Sequence, residues 1–252
     1  MTDDQIIRKI AVIFVTDVVS FSTLMEENEN ATLKSLRACR GIMDQLFREY
    51  DARIFNTAGD SVLAEFQSAV AAVICASEFQ KMIRKRNLSV PEESQMQFRI
   101  GLNVGDVIVE GTNLYGEGVN NAARLEVLSQ PGGVSLSEAI YNFANKKVEL
   151  EFNDLGTQKI KNTVLRAYDV IIEGLETRGL GSSNETVEVA ESKPPTIAVM
   201  PFKNMSNDEE QEYFADGVTE DIITNLSSWK SFPVIARNST FSFKGQEMKP
   251  SE

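Results

Sequence analysis

The alternation of apolar and polar positions over the first 90 residues predicts a mixed α/β domain. Residues 10–15 form a continuous β-branched and aromatic run, the pattern of a buried strand. Apolar residues recur at helical spacing over 31–50 and again over 68–86, which predicts two amphipathic helices. Between these helices, the apolar runs 53–57 and 61–66 flank a Gly-Asp turn and predict a hairpin.

The pattern continues through residue 172 and completes a recognisable order of elements. The further predictions are strands at 97–104 and 107–110, a helix over 116–128, a strand at 134–136, a short helix over 137–144, and a strand pair at 149–155 and 166–172. Strand, helix, hairpin, helix and strand pair follow the ferredoxin-like βαββαβ plan with added strands. We therefore predict an α/β (α+β) fold with helices on one face of its sheet.

The pattern changes after residue 173. Residues 174–195 are rich in Gly, Ser, Thr, Glu and Lys and lack periodicity, which predicts a linker. Residues 196–252 then resume as a strand, a helix near 213–229 and a strand near 232–236. A single strand-helix-strand unit is short for an independent domain. The predicted organisation is a main domain over 1–173, a linker over 174–195 and a partial α/β segment over 196–252.

Composition excludes several classes of function. The 252 residues carry a formal charge of −12 and contain no histidine. An acidic surface argues against binding a nucleic acid polymer, and the lack of histidine removes Ser-His-Asp, Cys-His and His-zinc chemistry. The first residues do not resemble a secretory signal, and the longest apolar stretch, 69–76, is too short to span a bilayer. We expect a cytoplasmic protein without membrane insertion.

Two aspartates lie where an extended apolar run breaks into a turn. These are Asp17, after the first strand, and Asp60, in the Gly-Asp turn of the hairpin. Two carboxylates at neighbouring strand ends form a hard-oxygen site suited to Mg²⁺ or Mn²⁺ beside a polyphosphate. Phe21 and Ser22 open the helix that follows Asp17, where free amides could receive phosphate oxygens. Taken singly, Asp17 could instead cap this helix and Asp60 could be an ordinary turn residue.

Polar residues that could act on a nucleotide also follow downstream. Asn120 and Arg124 are spaced i, i+4 and share a helix face. The alternative is a surface helix on which Arg124 pairs with a neighbouring glutamate. Lys161 lies in a polar segment, 155–162, predicted as a turn between two strands, where a lone lysine is usually a surface charge.

Residues 8–172 resemble the catalytic domain of class III nucleotidyl cyclases, the adenylate and guanylate cyclase family. Five segments in order carry the resemblance: TDVVSFSTLM, NTAGDSVLAEF, FRIGLNVGDVIVEG, LYGEGVNNAARLE and DLGTQKIKN. The resemblance implies a head-to-tail homodimer with two active sites at its interface. It also implies that ATP or a related nucleotide is cyclised by attack of the ribose 3′-hydroxyl on the α-phosphorus, with release of pyrophosphate.

The same resemblance implies the roles of individual residues. Two divalent ions, Mg²⁺ or Mn²⁺, would be bound by Asp17, Asp60 and the carbonyl of Val18, to activate the 3′-hydroxyl and bridge the triphosphate. Asn120 would orient the ribose and Arg124 would stabilise charge on the α-phosphoryl group, both reaching in from the partner subunit. Lys161 would hold the terminal phosphates.

The positions that read the base depart from the family. Adenylate cyclases commonly use a lysine and an aspartate there, and guanylate cyclases a glutamate and a cysteine, whereas this chain has Asn56 and Asn113. Each asparagine offers a donor and an acceptor, so the pair could serve adenine, guanine or a pyrimidine. We expect ATP, because the other motifs resemble the bacterial adenylate-type branch. The alternatives are a cyclase for another base and a nucleotide-binding sensor without turnover.

From Thr196 the sequence resembles the start of a TolB-type amino-terminal domain. The piece is incomplete, which leaves a regulatory role or an interaction module as its interpretation.

Overall fold

The structure is a computed structural model that describes residues 6–160, 163–178, 197–202, 210–228, 234–235 and 240–241. The chain divides into two compact units, Met1–Val187 and Glu188–Glu252. The predicted boundaries at 173 and 195 remain predictions. Lys161 lies outside the described residues.

The first unit is built on one eight-stranded sheet. Its described strands are β1 (Ile7–Val18), β2 (Arg53–Ala58), β3 (Ser61–Phe66), β4 (Phe98–Glu110), β5 (Asn113–Tyr115), β6 (Val134–Ser137), β7 (Phe152–Ile160) and β8 (Thr163–Val170). Its described helices are α1 (Phe21–Glu49), α2 (Ala69–Asn87), α3 (Glu117–Leu128) and α4 (Glu138–Ala144), with a 3₁₀ turn at Glu92–Ser94.

The strands run in the order β2-β3-β1-β4-β6-β8-β7, and β5 pairs with β4 outside this path. β1 is antiparallel to both β3 and β4, and β4 is parallel to β6. The predicted α/β fold with a ferredoxin-like core and added strands is confirmed. Asp17 therefore lies on β1, and Asp60 lies in the turn before β3, the strand that pairs directly with β1.

The sheet has a hydrophobic cluster on each face. Val12 and Phe14 of β1 join the larger cluster with buried residues of α1, α2 and α4. Ala11, Ile13 and Val15 point to the other face and join a smaller cluster with α3. The prediction that helices lie on one face is wrong for α3, because β1 is apolar on both faces. Side chains alternate along a strand, so Asp17 lies on the α3 face.

Three local predictions also need correction. The break predicted at Gly105-Asp106 does not occur, because β4 pairs with β1 continuously from Ile7↔Val109 to Val18↔Phe98. β5 was not predicted, because three residues are too few to show a period. The segment 155–162 was predicted as a turn, but β7 continues through it to Ile160.

The helix predicted at 31–50 begins ten residues earlier, at Phe21, and is broken at Asn28. Asn28 has φ −158° and ψ 89°, outside the helical region. Its side-chain Oδ1 accepts a hydrogen bond from the Ala31 amide at 3.1 Å, so Asn28 caps the second part of α1. The asparagine thus ends one helical segment and starts the next.

The chain remains attached to the sheet after β8. The Arg178 guanidinium donates to Asp169 Oδ1 at 2.7 Å and to the Leu128 carbonyl at 2.8 Å. Arg84 donates to the Gly174 carbonyl at 2.7 Å. Residues 174–178, the beginning of the predicted linker, are therefore bonded to α2, α3 and β8 and belong to the first unit.

The second unit contains helix α5 (Glu210–Ser228), close to the helix predicted near 213–229. Ile197 and Val234 form an isolated parallel bridge where the two strands were predicted. The Phe202 amide donates to Thr219 Oγ1 at 3.2 Å. In neither unit does the described part of the chain contain a helix with the length and apolarity needed to cross a membrane.

Candidate active site

Asp17 and Asp60 are brought together by the pairing of β1 with β3. Asp17 is the penultimate residue of β1, and Asp60 lies in the turn between β2 and β3. The Val18 amide donates to Asp60 Oδ2 at 3.0 Å, and the Ser61 hydroxyl donates to Asp17 Oδ1 at 2.9 Å. The helix that follows has Ser20 at its N-cap and no side-chain cap bond. Asp17 is therefore not a helix cap, and the two carboxylates lie side by side.

The proximity of the two carboxylates has an electrostatic cost. Burial raises the pKa of Asp60 to about 7, and a hydrogen bond shared with Asp17 and the charge of Asp17 add to the rise. Like charges so close favour either a bound proton or a bound cation. The oxygen-only donors suit Mg²⁺ or Mn²⁺. The described residues contain no cluster of three or more His, Cys, Asp or Glu that could hold a metal ion, so other ligands would come from backbone carbonyls and phosphates.

Arg99 and Glu126 border this pair and were not predicted from the sequence. Arg99 is paired with Asp17 across β1 and β4, and its Nη2 lies 4.0 Å from Asp17 Oδ2. Its Nε lies 3.1 Å from Glu126 Oε1, although the geometry is not that of a hydrogen bond, and both atoms are buried without a hydrogen-bond partner among the described residues. Burial raises the pKa of Glu126 to about 7 in spite of Arg99, and Asp17 and Asp60 contribute to the rise.

Helix α3 lies unusually close to β4, which fixes its position relative to the carboxylates. A Cβ atom at Gly101 would lie 2.1 Å from the Ala122 carbonyl oxygen and 2.2 Å from the Glu126 amide nitrogen. The Asn103 side-chain amide donates to the Gly118 carbonyl at 2.9 Å and holds the start of the helix. Only glycine at position 101 permits this approach.

Asn120 and Arg124 lie on the part of α3 that faces away from β4. Asn120 is exposed beside a cavity of about 470 Å³ that Gly105 and Gly116 also line. Arg124 donates to Asn121 Oδ1 at 2.8 Å and to Glu117 Oε2 at 3.1 Å, so the predicted alternative of a glutamate partner is present in the single chain. Among the described residues, no hydrogen bond or ion pair joins Asn120 or Arg124 to the two aspartates.

The two base-reading candidates lie on β2 and β5, two strands that a hydrogen bond of Arg53 links through Thr112, the residue before β5. Asn56 is exposed at a register shift of β2 against β3, and Asn113 begins β5 and donates to the Tyr115 hydroxyl at 3.3 Å. Arg53 of β2 donates to the Thr112 carbonyl at 2.7 Å and so ties β2 to the turn before β5. Among the described residues, both asparagines have amide donors and acceptors that could still bind a base.

The remaining candidates open α1. Phe21 is partly buried against the larger hydrophobic cluster, and Ser22 is exposed. Both belong to the first turn of α1, as predicted, which begins four residues after Asp17.

Comparison with known proteins places the chain in a family. Residues 3–172 match the family model "Adenylate and Guanylate cyclase catalytic domain". The chain therefore belongs to the class III adenylate and guanylate cyclase catalytic domain family.

Individual relatives agree with this assignment. A Rhizobium meliloti protein named "Putative adenylate cyclase 3" is 41% identical over 249 residues, which cover 98% of this chain and 42% of the relative. The chain thus spans less than half the length of that relative. An adenylate/guanylate cyclase/hydrolase from Silicibacter pomeroyi is 34% identical, with a TM-score of 0.62 over 66% of this chain and 99% of that one. The adenylyl cyclase CyaB from P. aeruginosa, 24% identical with a TM-score of 0.58 over 70% of this chain and all of that one, shares the fold.

Proposed function

We propose that this protein is an adenylate cyclase that converts ATP to 3′,5′-cyclic AMP and pyrophosphate, using two Mg²⁺ or Mn²⁺ ions per site, in intracellular signal transduction. The observation that carries the proposal is the pair of adjacent carboxylates, Asp17 at the end of β1 and Asp60 in the turn before β3, in a chain of the cyclase family. The name of the Rhizobium relative supports ATP as the substrate.

The proposed chemistry assigns each group a separate task. Asp17, Asp60 and the Val18 carbonyl would hold the metal ions, which supply Lewis-acid activation of the ribose 3′-hydroxyl and charge neutralisation. The 3′-oxygen would form a new bond to the α-phosphorus and release its proton to solvent. The bond from the α-phosphorus to the oxygen that bridges the α- and β-phosphates would break, which releases pyrophosphate. Arg124 would stabilise the charge that develops on the α-phosphoryl oxygens.

Binding of the nucleotide would use the other predicted residues. Asn120 would orient the ribose, and Lys161 would hold the terminal phosphates. The first turn of α1, Phe21 and Ser22, would present amides to the triphosphate. Asn56 and Asn113 would read the adenine edge through their amide donors and acceptors.

A homodimer would account for the separation of these groups within one chain. Asn120 and Arg124 have no described bond to Asp17 or Asp60, and Arg124 instead binds Glu117. A second copy, related by a two-fold axis, would bring α3 of one subunit to the carboxylates of the other and form two equivalent sites.

Incubation of the purified chain with each of the four nucleoside triphosphates and Mn²⁺ tests the reaction and its substrate. We expect cyclic AMP as the dominant product. Dominant turnover of GTP, CTP or UTP would replace ATP with another base. Tight triphosphate binding without any cyclic product would instead identify a nucleotide-binding sensor.

Mixing inactive variants tests the shared site. Asp17→Ala and Arg124→Ala should each lose activity, Arg124→Ala by about 10²–10³-fold, as for loss of one oxyanion donor. An equal mixture should recover about a quarter of the wild-type rate, because half of the dimers are mixed and each has one intact site of two. The control mixture of Asp17→Ala with Asp60→Ala should stay inactive, since both changes affect the same half of the site. No recovery in the first mixture would contradict the dimeric site.

A further inference from the structure

One guanidinium outside the proposed catalytic set binds the turn that carries Asp60. Arg40 of α1 directs a single nitrogen, Nη2, at three successive carbonyl oxygens of this turn. The distances are 3.2 Å to Gly59, 3.0 Å to Asp60 and 3.2 Å to Ser61. The three carbonyl oxygens form a small region of negative potential. The Arg40 guanidinium in this region binds both turn residues, Gly59 and Asp60, and the first residue of β3, Ser61.

The bonds of Arg40 and of Val18 hold Asp60 from two different elements. Arg40 fixes the backbone of Asp60 from α1, while the Val18 amide of β1 fixes its carboxylate at 3.0 Å. Gly59 has φ +60°, so the turn uses a conformation that glycine adopts without strain. The direction of the Asp60 side chain therefore depends on both a strand contact and a helix contact.

The break in α1 makes this contact possible. Phe21 follows closely after Val18, which binds Asp60. In a straight helix the nineteen residues from Phe21 to Arg40 would rise about 28 Å, at about 1.5 Å per residue, and carry Arg40 away from the turn. The non-helical geometry of Asn28 redirects the second part of α1, so that Arg40 returns to the turn.

We propose that Arg40 is a positioning residue for the metal site, which holds Asp60 at the distance from Asp17 that shared divalent ions require. The inference rests on the proposed function, because it assigns Asp60 to the metal. The described hydrogen bonds of Arg40 go to backbone carbonyls and not to the carboxylate of Asp60. The effect of Arg40 passes through the backbone of Asp60, as groups behind metal ligands commonly act.

Burial of Arg40 is consistent with a role beyond packing. The Arg40 side chain is partly buried between α1 and the turn that it binds. Its Nε is buried without a hydrogen-bond partner among the described residues. Nε therefore lacks a described hydrogen bond while Nη2 bonds to three carbonyls, so the described hydrogen bonds of the Arg40 side chain go to the turn and not to its own helix.

The experiment compares Mn²⁺ binding by the full chain and three variants. Arg40→Met keeps the aliphatic length and removes the donors, and Arg40→Lys keeps a cation. Arg37→Met is the matched control, because Arg37 is exposed on the same helix and makes no described hydrogen bond or ion pair. Free Mn²⁺ is followed by electron paramagnetic resonance without nucleotide, and circular dichroism and urea unfolding monitor the fold.

We expect Arg40→Met to weaken Mn²⁺ binding by about 10–100-fold, the usual effect of losing a group behind a metal ligand. Arg40→Lys should recover most of the affinity, and Arg37→Met should match the wild type. A folded Arg40→Met protein with wild-type Mn²⁺ affinity would overturn the inference, as would a wild type that binds no Mn²⁺ at millimolar concentration. If Arg40→Met does not fold, Arg40→Lys provides the test. If the free energy of Mn²⁺ binding by Arg40→Lys falls by as much as its free energy of unfolding, Arg40 has a purely structural role.

This design separates the inference from the proposed function. Mn²⁺ binding is measured without turnover, so a wild type that binds Mn²⁺ but forms no cyclic nucleotide would refute only the cyclase activity. If the wild type is active but its Mn²⁺ affinity does not change when Arg40 is replaced, only the positioning role is refuted.

Discussion

Replacement of Asp60 by asparagine should stabilise the metal-free protein while removing its proposed activity. Asparagine retains an oxygen that can accept the hydrogen bond from the Val18 amide, seen at 3.0 Å in the wild type. It removes the negative charge that lies against Asp17. The substitution therefore isolates the electrostatic cost of keeping two carboxylates together.

The magnitude follows from the raised pKa of Asp60. A change from 3.8 to about 7 corresponds to roughly 4 kcal/mol between the protonated and ionised folded forms. Because Asp60 is only half-buried, solvent screening reduces this to about 1–2 kcal/mol. A raised carboxyl pKa stabilises the fold below the unfolded pKa, and this stabilisation is lost as the pH rises from about 4 to about 7. The gain from Asp60→Asn should thus be largest at pH 8 and smaller at pH 5.

Urea unfolding in EDTA at pH 5 and pH 8, followed by circular dichroism, measures this difference. The control is Asp106→Asn, which removes a carboxylate exposed to solvent and paired with Arg8. Mn²⁺ should stabilise the wild type and have much less effect on Asp60→Asn, because ligand binding to the native state adds to its stability. If Asp60→Asn is less stable than the wild type at pH 8, or gains equally at both pH values, the reasoning from like-charge repulsion is refuted.

Three further outcomes follow from the geometry. Gly101→Ala should cost at least 1–3 kcal/mol in urea unfolding, roughly the range for overpacking, since its Cβ would meet the Ala122 carbonyl at 2.1 Å; an unchanged midpoint would show that α3 moves freely. Arg178→Met should destabilise the first unit by about 1.5–3 kcal/mol, because the buried Asp169 loses its charged hydrogen bonds to Arg178, and unchanged stability would contradict a stabilising role for this pair. Removal of divalent ions with EDTA should abolish cyclic AMP formation and Mn²⁺ should restore it, as judged by product analysis; EDTA-resistant turnover would exclude the two-metal proposal.

The positions of Asp17 and Asp60 could be predicted because they follow from strand order. Each aspartate ends or follows an apolar run, and strands that are close in sequence are usually neighbours in the sheet. The alternative that Asp17 caps a helix could not be resolved from the sequence. It depended on which residue begins α1, and helix starts are poorly determined by pattern.

The supporting residues could not be predicted, for two physical reasons. Arg40 binds backbone carbonyls, which every residue has, so no side-chain pattern marks its partners. Arg99 and Glu126 interact only after α3 packs on β4, a contact that Gly101 permits. Gly105 led to a wrong prediction because glycine usually signals a turn, whereas here it lies within β4. Glycine is needed at this position because α3 packs closely: a Cβ atom on residue 105 would lie 3.1 Å from the Cα atom of Gly118.

The single chain thus fixes each half of the proposed site but not the relation between the halves. The carboxylate half is fixed by the bonds of Arg40 and Val18 to the hairpin turn, and the α3 half by the close contact at Gly101. Arg124 meanwhile donates to Glu117 and Asn121 of its own helix. Because Glu117 is exposed, its contact with Arg124 contributes little stability and can be exchanged at small cost. A partner subunit that offered a phosphate would compete with this weak contact rather than with the fold. Assembly of the complete site would then require two copies to meet without refolding either one, which is why the mixed-variant experiment is the most direct test of the proposed enzyme.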